Sequence, residues 1–309
     1  MNGPIARAEA ILRATCGDRV RAGLAIAPLT TFRIGGPAAL YLEPEAEDDL
    51  AAAGRAVAET GVPFVVIGKG SNMLVSDEGF AGLVLRLGRG YRWAARERTF
   101  LRAGGAMPVP ALAGVALQHE LAGLEFGVAI PASVGGAVRM NAGAHEGSMS
   151  DVVRTIDMFR LLLGRTERVP AESAGFTYRR SQLPGDAVVT GVTVALETAD
   201  PGDIRARMDA AREWRRRTQP LAEPNCGSVF KNPPSDHAAR LIEASGLKGL
   251  RIGGAQISTK HANFIVVEPQ ARASDVVALI RAVQQRVEGE TGVRLDPEVH
   301  LIGEFADAG

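Results

Sequence analysis

The chain carries 309 residues, 46% hydrophobic and 5% aromatic, at a formal net charge of +0; that length suits two or three domains with sizeable cores, and the balance argues against a general nucleic-acid binder or a polybasic membrane protein. Cys16 and Cys226 stand far apart without C-x-x-C spacing, so neither a disulfide scaffold nor a zinc site is indicated and a reducing compartment is the default. No stretch of about 18 apolar residues occurs, and Met1 to Ala10 lacks a basic flank before an apolar core, so a cytoplasmic protein without a membrane segment is expected.

Ile5 to Ala14 reads as a short helix stopped by Gly17 and Asp18. Thr30-Thr31-Phe32-Arg33-Ile34-Gly35-Gly36 is an extended apolar piece running into a double glycine. Glu47, Asp48 and Asp49 open a helix that runs to about Thr60 and stops at Gly61, and their carboxylates suit the helix dipole better than catalysis. Pro63 to Ile67 is a β-branched run expected as a buried strand, with Gly68-Lys69-Gly70-Ser71-Asn72 directly behind it. That loop matches neither G-x-x-x-x-G-K-[ST] nor G-x-G-x-x-G, yet its amides and the Ser71 and Asn72 side chains suit a phosphate. Leu83 to Leu87 and Phe100 to Ala103 are further strands, the second entering Gly104-Gly105, and Pro110 fits the first turn of a helix ending near His119.

Residues 123–143, GLEFGVAIPASVGGAVRMNAG, form the stretch around which the rest is organised. From Ile130 to Gly143 the only charge is Arg139, so the segment contributes backbone. Gly135, Gly136 and Gly143 are expected to let amides approach a ligand closely and to visit positive φ. The alternative is a buried glycine-rich turn without a ligand.

Val152 to Leu163 and Ala187 to Leu196 alternate as strands of the same domain, with Phe176-Thr177-Tyr178-Arg179-Arg180-Ser181 between them. Pro201-Gly202-Asp203 marks a boundary, giving expected domains 1–200 and 201–309; Asp203 is expected to cap a helix, Ile204 to Arg217, with a solvated Arg-rich end. Residues 224–233, PNCGSVFKNP, pack a hydroxyl, an ammonium and two amides between prolines, and Lys231 is one of only four lysines, with Lys69, Lys248 and Lys260. Asp236 to Ala244 is a helix closed by Gly246, Leu250 to Gly254 repeats the strand-to-double-glycine pattern, and Ser258 to Asn263 leads into a strand, Phe264 to Val267. Ser274 is expected to cap an amphipathic helix with Val276, Val277, Ile280, Val283 and Val287 on one face. Leu295 to Gly303 places Glu298 in a short apolar strand.

Taken together, Thr31 to Gly36, Val66 to Val75, Gly123 to Gly143, Tyr178 to Ser181, Gly227 to Pro233, Leu241 to Ala262 and Leu295 to Gly303 resemble, in order, the motifs of the UDP-N-acetylenolpyruvoylglucosamine reductase (MurB) family, in the shorter class that lacks an additional tyrosine-bearing loop. The resemblance implies an α+β protein. Its FAD-binding part would have the vanillyl-alcohol-oxidase/PCMH-type fold, two α+β subdomains, followed by a C-terminal α+β substrate-binding domain. It implies an oxidoreductase of peptidoglycan cell-wall synthesis, with non-covalent FAD as cofactor, NADPH as hydride donor and the nucleotide sugar UDP-GlcNAc-enolpyruvate as substrate. A monomer with no nucleic-acid, membrane or metal partner is expected.

By the same resemblance, Gly68, Lys69, Gly70, Ser71, Asn72, Gly104, Ile130, Pro131, Ser133, Gly135, Gly136, Asn141 and Gly143 hold the cofactor, and Tyr178, Lys231, Asn232 and His261 hold the substrate. Arg179 and Glu298 would steady the charge that builds on the substrate carboxylate, and Ser228 would deliver a proton, with Lys231 or a water chain assisting. The chain departs from the family pattern at His300, where a relative can carry Arg, and at Ala129 and Ala132, where Ala replaces Gly and the loop must avoid positive φ.

Two other readings remain at this stage. One is an FAD oxidase of the same fold acting on an alcohol or sugar, for which His119 and His145 are the nearest candidates for flavin attachment, neither in a suggestive context. The other is a catalytically dead flavin-binding or nucleotide-sugar-binding module, against which Arg179, Ser228 and Glu298 stand together. On residue type alone, Arg179 reads rather as a surface charge, Glu298 equally as an edge-strand charge, and Ser228 most simply as a turn former. Cys226 reads as a small buried residue.

Overall fold

The computed structural model describes residues 3–144 and 147–305, so His145 lies outside the described residues. The chain divides into two compact units. Unit 1 comprises the described residues up to Gly23, Ala39–Lys69 and Gly82–Trp214; unit 2 comprises Leu24–Ala38, Gly70–Ala81 and the described residues from Arg215. Position 200/201 lies within unit 1, and the chain passes between units inside the helix Pro201–Thr218.

Unit 1 has two hydrophobic cores. In the first, helices Pro4–Cys16 and Glu47–Thr60 cover a four-stranded sheet in the order Arg21–Ala25, Pro37–Leu42, Phe80–Leu85, Phe64–Val66, the last two parallel. The Glu47–Thr60 helix buries Leu50, Ala53 and Val57 at helical spacing and ends where Gly61 turns left-handed at φ 67°. It lies so close to the chain at Leu161 that a Cβ on Gly54 would sit 2.3 Å from the Leu161 carbonyl oxygen. Asp49, expected among the helix-end charges, is buried. Its carboxylate accepts the Glu45 and Ala46 amides at 2.8 and 3.2 Å and pairs with the Arg19 guanidinium at 2.6 Å. Phe64–Val66, expected buried, is half-buried because it is an edge strand with one neighbour.

The second core lies under an antiparallel five-stranded sheet in the order Arg165–Pro170, Val153–Arg160, Ala187–Ala195, Phe100–Gly104, Ala94–Glu97. Ile156, Met158, Val192 and Val194 meet Leu112, Ala113 and Ala116 of helix Val109–Gln118 and Val134 and Val138 of helix Val134–Arg139. Phe159 and Leu161 join the first core instead, so the alternation of the Val153–Arg160 strand ties both cores together.

The organising stretch is more regular than expected. Ser133 caps the six-residue helix Val134–Arg139 by accepting the Gly136 amide at 3.4 Å, so Gly135 and Gly136 are helical. Within residues 123–143 only Gly123 and Asn141 have positive φ, at 118° and 42°, and Ala129 and Ala132 avoid it as required. The glycines serve close approach: a Cβ on Gly135 would lie 2.9 Å from the Val189 carbonyl oxygen, and one on Gly143 2.7 Å from that of Gly147. The helix Pro201–Thr218 also begins differently: Asp200, not Asp203, accepts the Gly202 and Asp203 amides, at 2.8 and 3.2 Å.

Unit 2 packs helices Ala238–Ala244 and Ala273–Thr291 against an antiparallel sheet of Arg251–Ile252, Ala255–Ile257 and Ile265–Val267. All five valine and isoleucine positions expected on the long helix's apolar face are buried, with Phe32, Ile34 and Leu74 in the same core. The cap expected at Ser274 is provided from far away in sequence. The Asp77 carboxylate accepts the Ala273 and Ser274 amides at 2.7 and 3.1 Å, while Asp275 accepts the Arg272 amide at 3.0 Å. A parallel pair, Met73–Val75 with His300–Ile302, completes the unit. No described helix is long and apolar enough to cross a membrane.

Candidate functional site

Backbone pairing in unit 2 sets Ser228 and Glu298 on neighbouring extended segments. The Val229 amide donates to the Asn263 carbonyl at 2.9 Å, the Glu298 amide to the Val229 carbonyl at 2.7 Å, and the Lys231 amide to the Asp296 carbonyl at 2.9 Å. Antiparallel bridges link Ser228 to Phe264 and Phe230 to Pro297. The polar cluster of residues 224–233 therefore contains an extended piece with isolated bridges at Ser228 and Phe230, and the side chains of Val229 and Phe230 are buried. Glu298 precedes the strand His300–Ile302, and it is paired to the residue next to Ser228.

Two carboxamides complete the pairing. The buried Asn263 side chain imitates a neighbouring strand: its Oδ1 accepts the Phe230 amide at 2.9 Å and its Nδ2 donates to the Phe230 carbonyl at 2.8 Å. On the other side of Glu298, Asn72 Nδ2 donates to the Glu298 carbonyl at 3.1 Å, and the Asn72 carbonyl accepts the His300 amide at 3.1 Å.

The remaining substrate candidates of this unit surround that frame. The Lys231 ammonium lies 3.0 Å from the Asp296 carboxylate, which engages the cation expected to assist Ser228. Asn232 Oδ1 accepts the Ala238 amide at 3.1 Å at the start of helix Ala238–Ala244. His261 Nδ1 accepts the Asn263 amide at 3.2 Å, and burial, then the charge of Lys248, pushes the imidazole pKa down. The neutral ring therefore carries its proton on Nε2 and presents a donor. Burial and then the charge of Glu298 push the Cys226 thiol up, so it stays protonated, as its reading as a small buried residue requires.

Arg179 belongs to unit 1. Thr177 and Arg180 exchange amide-to-carbonyl bonds of 2.9 and 3.2 Å, leaving Tyr178 and Arg179 at the tip of a two-residue turn. Arg179 takes φ 55°, a left-handed conformation that costs a non-glycine residue roughly 1 kcal/mol or more. Its guanidinium lies 5.0 Å over the Tyr178 ring, and a Cβ on Gly143 would come within 3.3 Å of its Nη1. Asn141 holds this turn in place: Nδ2 donates to the Thr177 carbonyl at 3.0 Å while Oδ1 accepts the Ser150 amide at 2.9 Å. Arg139, the only charge between Ile130 and Gly143, is structural. It donates to the Leu183 and Pro184 carbonyls at 2.9 and 3.0 Å and to the Ala187 carbonyl.

Of the other cofactor candidates of unit 1, Gly68, Gly104 and Gly135 are each packed closely against neighbouring chain. A Cβ on Gly68 would lie 2.3 Å from Ser133 Oγ, the Gly135 amide donates to the Gly105 carbonyl at 2.9 Å, and a Cβ on Gly104 would meet the Tyr91 carbonyl oxygen at 2.1 Å. Ile130 is buried, Pro131 exposed. Burial, then the charges of Arg86 and Arg92, lowers the Lys69 pKa. Gly70 and Ser71 belong to unit 2, where Gly70 sits at φ 63° and its carbonyl accepts the Thr31 amide at 3.1 Å. The Gly135 and Gly136 amides are engaged by the Gly105 carbonyl and by Ser133 Oγ, so a flavin dinucleotide would meet these residues through their small size rather than through those two donors.

Residues 219–302 match the C-terminal domain of UDP-N-acetylenolpyruvoylglucosamine reductase, and residues 38–169 match an FAD-binding domain. The UDP-N-acetylenolpyruvoylglucosamine reductase of Heliobacterium modesticaldum is 46% identical, over 89% of this chain and 88% of that protein. That of an Anaeromyxobacter species is 45% identical over 91% of this chain and 87% of its own length. The crystal structure of the Thermus caldophilus enzyme (MurB) superposes with a TM-score of 0.80 at 38% identity, covering 92% of this chain and 99% of that one.

The chain belongs to the UDP-N-acetylenolpyruvoylglucosamine reductase family. The fold class expected from the sequence holds: two α+β subdomains matching an FAD-binding domain, with a MurB-type α+β domain after them. Sequence reasoning missed Asn263 and Asp77. Neither carries a periodic or motif signal, because each acts on a backbone group at least 33 residues away.

Proposed function

We propose that this chain reduces the enolpyruvyl group of UDP-GlcNAc-enolpyruvate to yield UDP-N-acetylmuramate, with NADPH as the hydride source and FAD as the redox cofactor. The observation that carries this reading is the match to reductases of that name over about nine-tenths of the chain, at 45–46% identity. Bound non-covalently, FAD would accept a hydride from NADPH and donate one to the substrate double bond. Gly68, Lys69, Gly70, Ser71, Gly104, Ile130, Pro131, Ser133, Gly135, Gly136, Asn141 and Gly143 would contact it, whereas the Asn72 side chain is engaged with the Glu298 carbonyl.

The side chains have separate tasks. As the double bond is reduced, negative charge gathers on the substrate carboxylate and the adjoining carbon, and a fixed cation lowers the cost of that charge. Arg179, carried at φ 55° on the turn that Asn141 ties down, supplies the cation, and Glu298 supplies the acidic partner. Ser228 delivers its hydroxyl proton to the carbon and recovers one from water. With Lys231 paired to Asp296, the water chain is the better supported assistant. Tyr178, Lys231, Asn232 and His261 would contact the nucleotide sugar, and a UDP-sugar reduced with NADPH implies a cytoplasmic setting. The shorter class and a monomeric state belong to the same reading.

The test is the visible spectrum under anaerobic conditions. The purified protein should be yellow, release its flavin on acid precipitation, bleach with NADPH and regain colour on adding UDP-GlcNAc-enolpyruvate. Bleaching without recovery would overturn the substrate; absence of flavin, with none bound on adding FAD, would overturn the whole reading.

A further inference from the structure

Asn72 lies in the Gly68 to Asn72 loop that the resemblance gives wholly to the cofactor, yet its side chain has a different engagement. Its Nδ2 donates to the Glu298 carbonyl at 3.1 Å while its own carbonyl takes the His300 amide at 3.1 Å. The Glu298 amide is bound on the opposite side, to the Val229 carbonyl at 2.7 Å. Both polar groups of the Glu298 backbone are thus occupied, one by the serine-bearing segment and one by Asn72. Immediately after Asn72, Met73–Val75 pairs in register with His300–Ile302, so the contact sits at the end of a ladder and continues it by a side chain.

We propose that Asn72 is a positioning residue for Glu298: its carboxamide fixes the backbone from which the Glu298 carboxyl projects. The inference rests on the catalytic role given to Glu298 above. It differs from a cofactor-ligand role in what it predicts. A ligand of the cofactor changes affinity for FAD; a positioning residue changes the step that Glu298 serves, and only while Glu298 is present. A displacement of the order of 1 Å at a catalytic group costs up to about 100-fold in rate.

The experiment compares Asn72→Leu, nearly the same size without donor or acceptor, with Glu298→Gln and the double variant; Asn72→Ser is the second choice should the leucine variant fail to fold. FAD affinity is read by flavin fluorescence on titrating the apoprotein. The two half-reactions are read separately by anaerobic stopped flow, with NADPH and then with UDP-GlcNAc-enolpyruvate. Asn72→Leu should hold FAD affinity and the rate of reduction by NADPH within about threefold and slow reoxidation by substrate about 10- to 100-fold. In the Glu298→Gln background it should add less than about threefold, since residues acting as a unit are non-additive. A loss of FAD affinity beyond tenfold with normal reoxidation of the loaded enzyme would overturn the proposal in favour of a cofactor ligand, and multiplicative losses in the double variant would overturn it in favour of an independent role. If Glu298→Gln alone leaves reoxidation unchanged, the role of Glu298 itself falls, and the inference with it.

Discussion

Replacing Asn263 by Ala tests the frame on which Ser228 is mounted. The substitution removes one acceptor and one donor and strands the amide and carbonyl of Phe230, a residue only 1% exposed. Each buried polar group left without a partner costs about 1–3 kcal/mol, so the pair costs roughly 2–6 kcal/mol before any cavity is counted. Against a total stability of the order of 5–15 kcal/mol, that is a large fraction. Urea denaturation followed by circular dichroism reads it directly. Asn263→Asp supplies a sharper control. Its ionised carboxylate offers no donor to the Phe230 carbonyl and is buried, whereas the protonated acid can both accept and donate. The folded state therefore prefers the protonated form and raises the pKa above its unfolded value. Relative to wild type, this variant should be most stable below about pH 4 and lose stability as pH rises through the raised folded value. A loss below about 1 kcal/mol for the alanine variant, or a flat difference from wild type across pH for the aspartate variant, would refute the reasoning.

Further outcomes are expected. Ser228→Ala should slow reoxidation by substrate about 10²- to 10⁴-fold while leaving reduction by NADPH within about threefold, measured by anaerobic stopped flow. Gly104→Val places atoms where even a Cβ would meet the Tyr91 carbonyl oxygen at 2.1 Å, so it should lower the thermal midpoint and the flavin content together, read by calorimetry and by absorbance of the purified protein. Burial alone would raise the Asp49 carboxyl, but the Arg19 guanidinium, the Glu45 and Ala46 amides and the Cys16 thiol outweigh it and hold it at about 2. A lowered folded value contributes stability above the unfolded carboxyl range that is lost as pH falls. The difference between wild type and Asp49→Asn, roughly 2 kcal/mol near neutrality, should therefore shrink between about pH 4 and pH 2 in acid-unfolding curves.

The periodic elements were legible because their signal is local. Val276, Val277, Ile280, Val283 and Val287 spell out the buried face of the helix Ala273–Thr291, and Gly61 and Gly246 stop helices at positive φ as their positions suggest. The motif residues were legible as a set through resemblance alone, since Arg179, Ser228 and Glu298 read singly as bland residues. What escaped was carried by long-range bonds from side chain to backbone. Asp77 caps a helix 196 residues away, Asn263 substitutes for a strand, and Asn72 reaches a carbonyl 226 residues away, none with any local pattern. The positive φ expected at the glycines of the organising stretch does not occur, for another reason. Glycine permits positive φ and close approach alike, and at Gly135, Gly136 and Gly143 packing against Val189, Ser133 and Gly147 uses the second property.

The interleaving of the two units bears on how the chain is made. Phe32, Ile34 and Leu74 belong to the core that residues after Cys226 complete, and Met73–Val75 finds its parallel partner only at His300–Ile302. During synthesis, the early segments Leu24–Ala38 and Gly70–Ala81 leave the ribosome long before their core exists, and they expose apolar surface until more than 200 further residues have followed. A fragment cut at the start of residue 201 would lack three residues of its own interior. The unit that carries Ser228 and Glu298 is consequently the last to close, and its pairing of Val229 with Glu298 cannot form before Glu298 has left the ribosome.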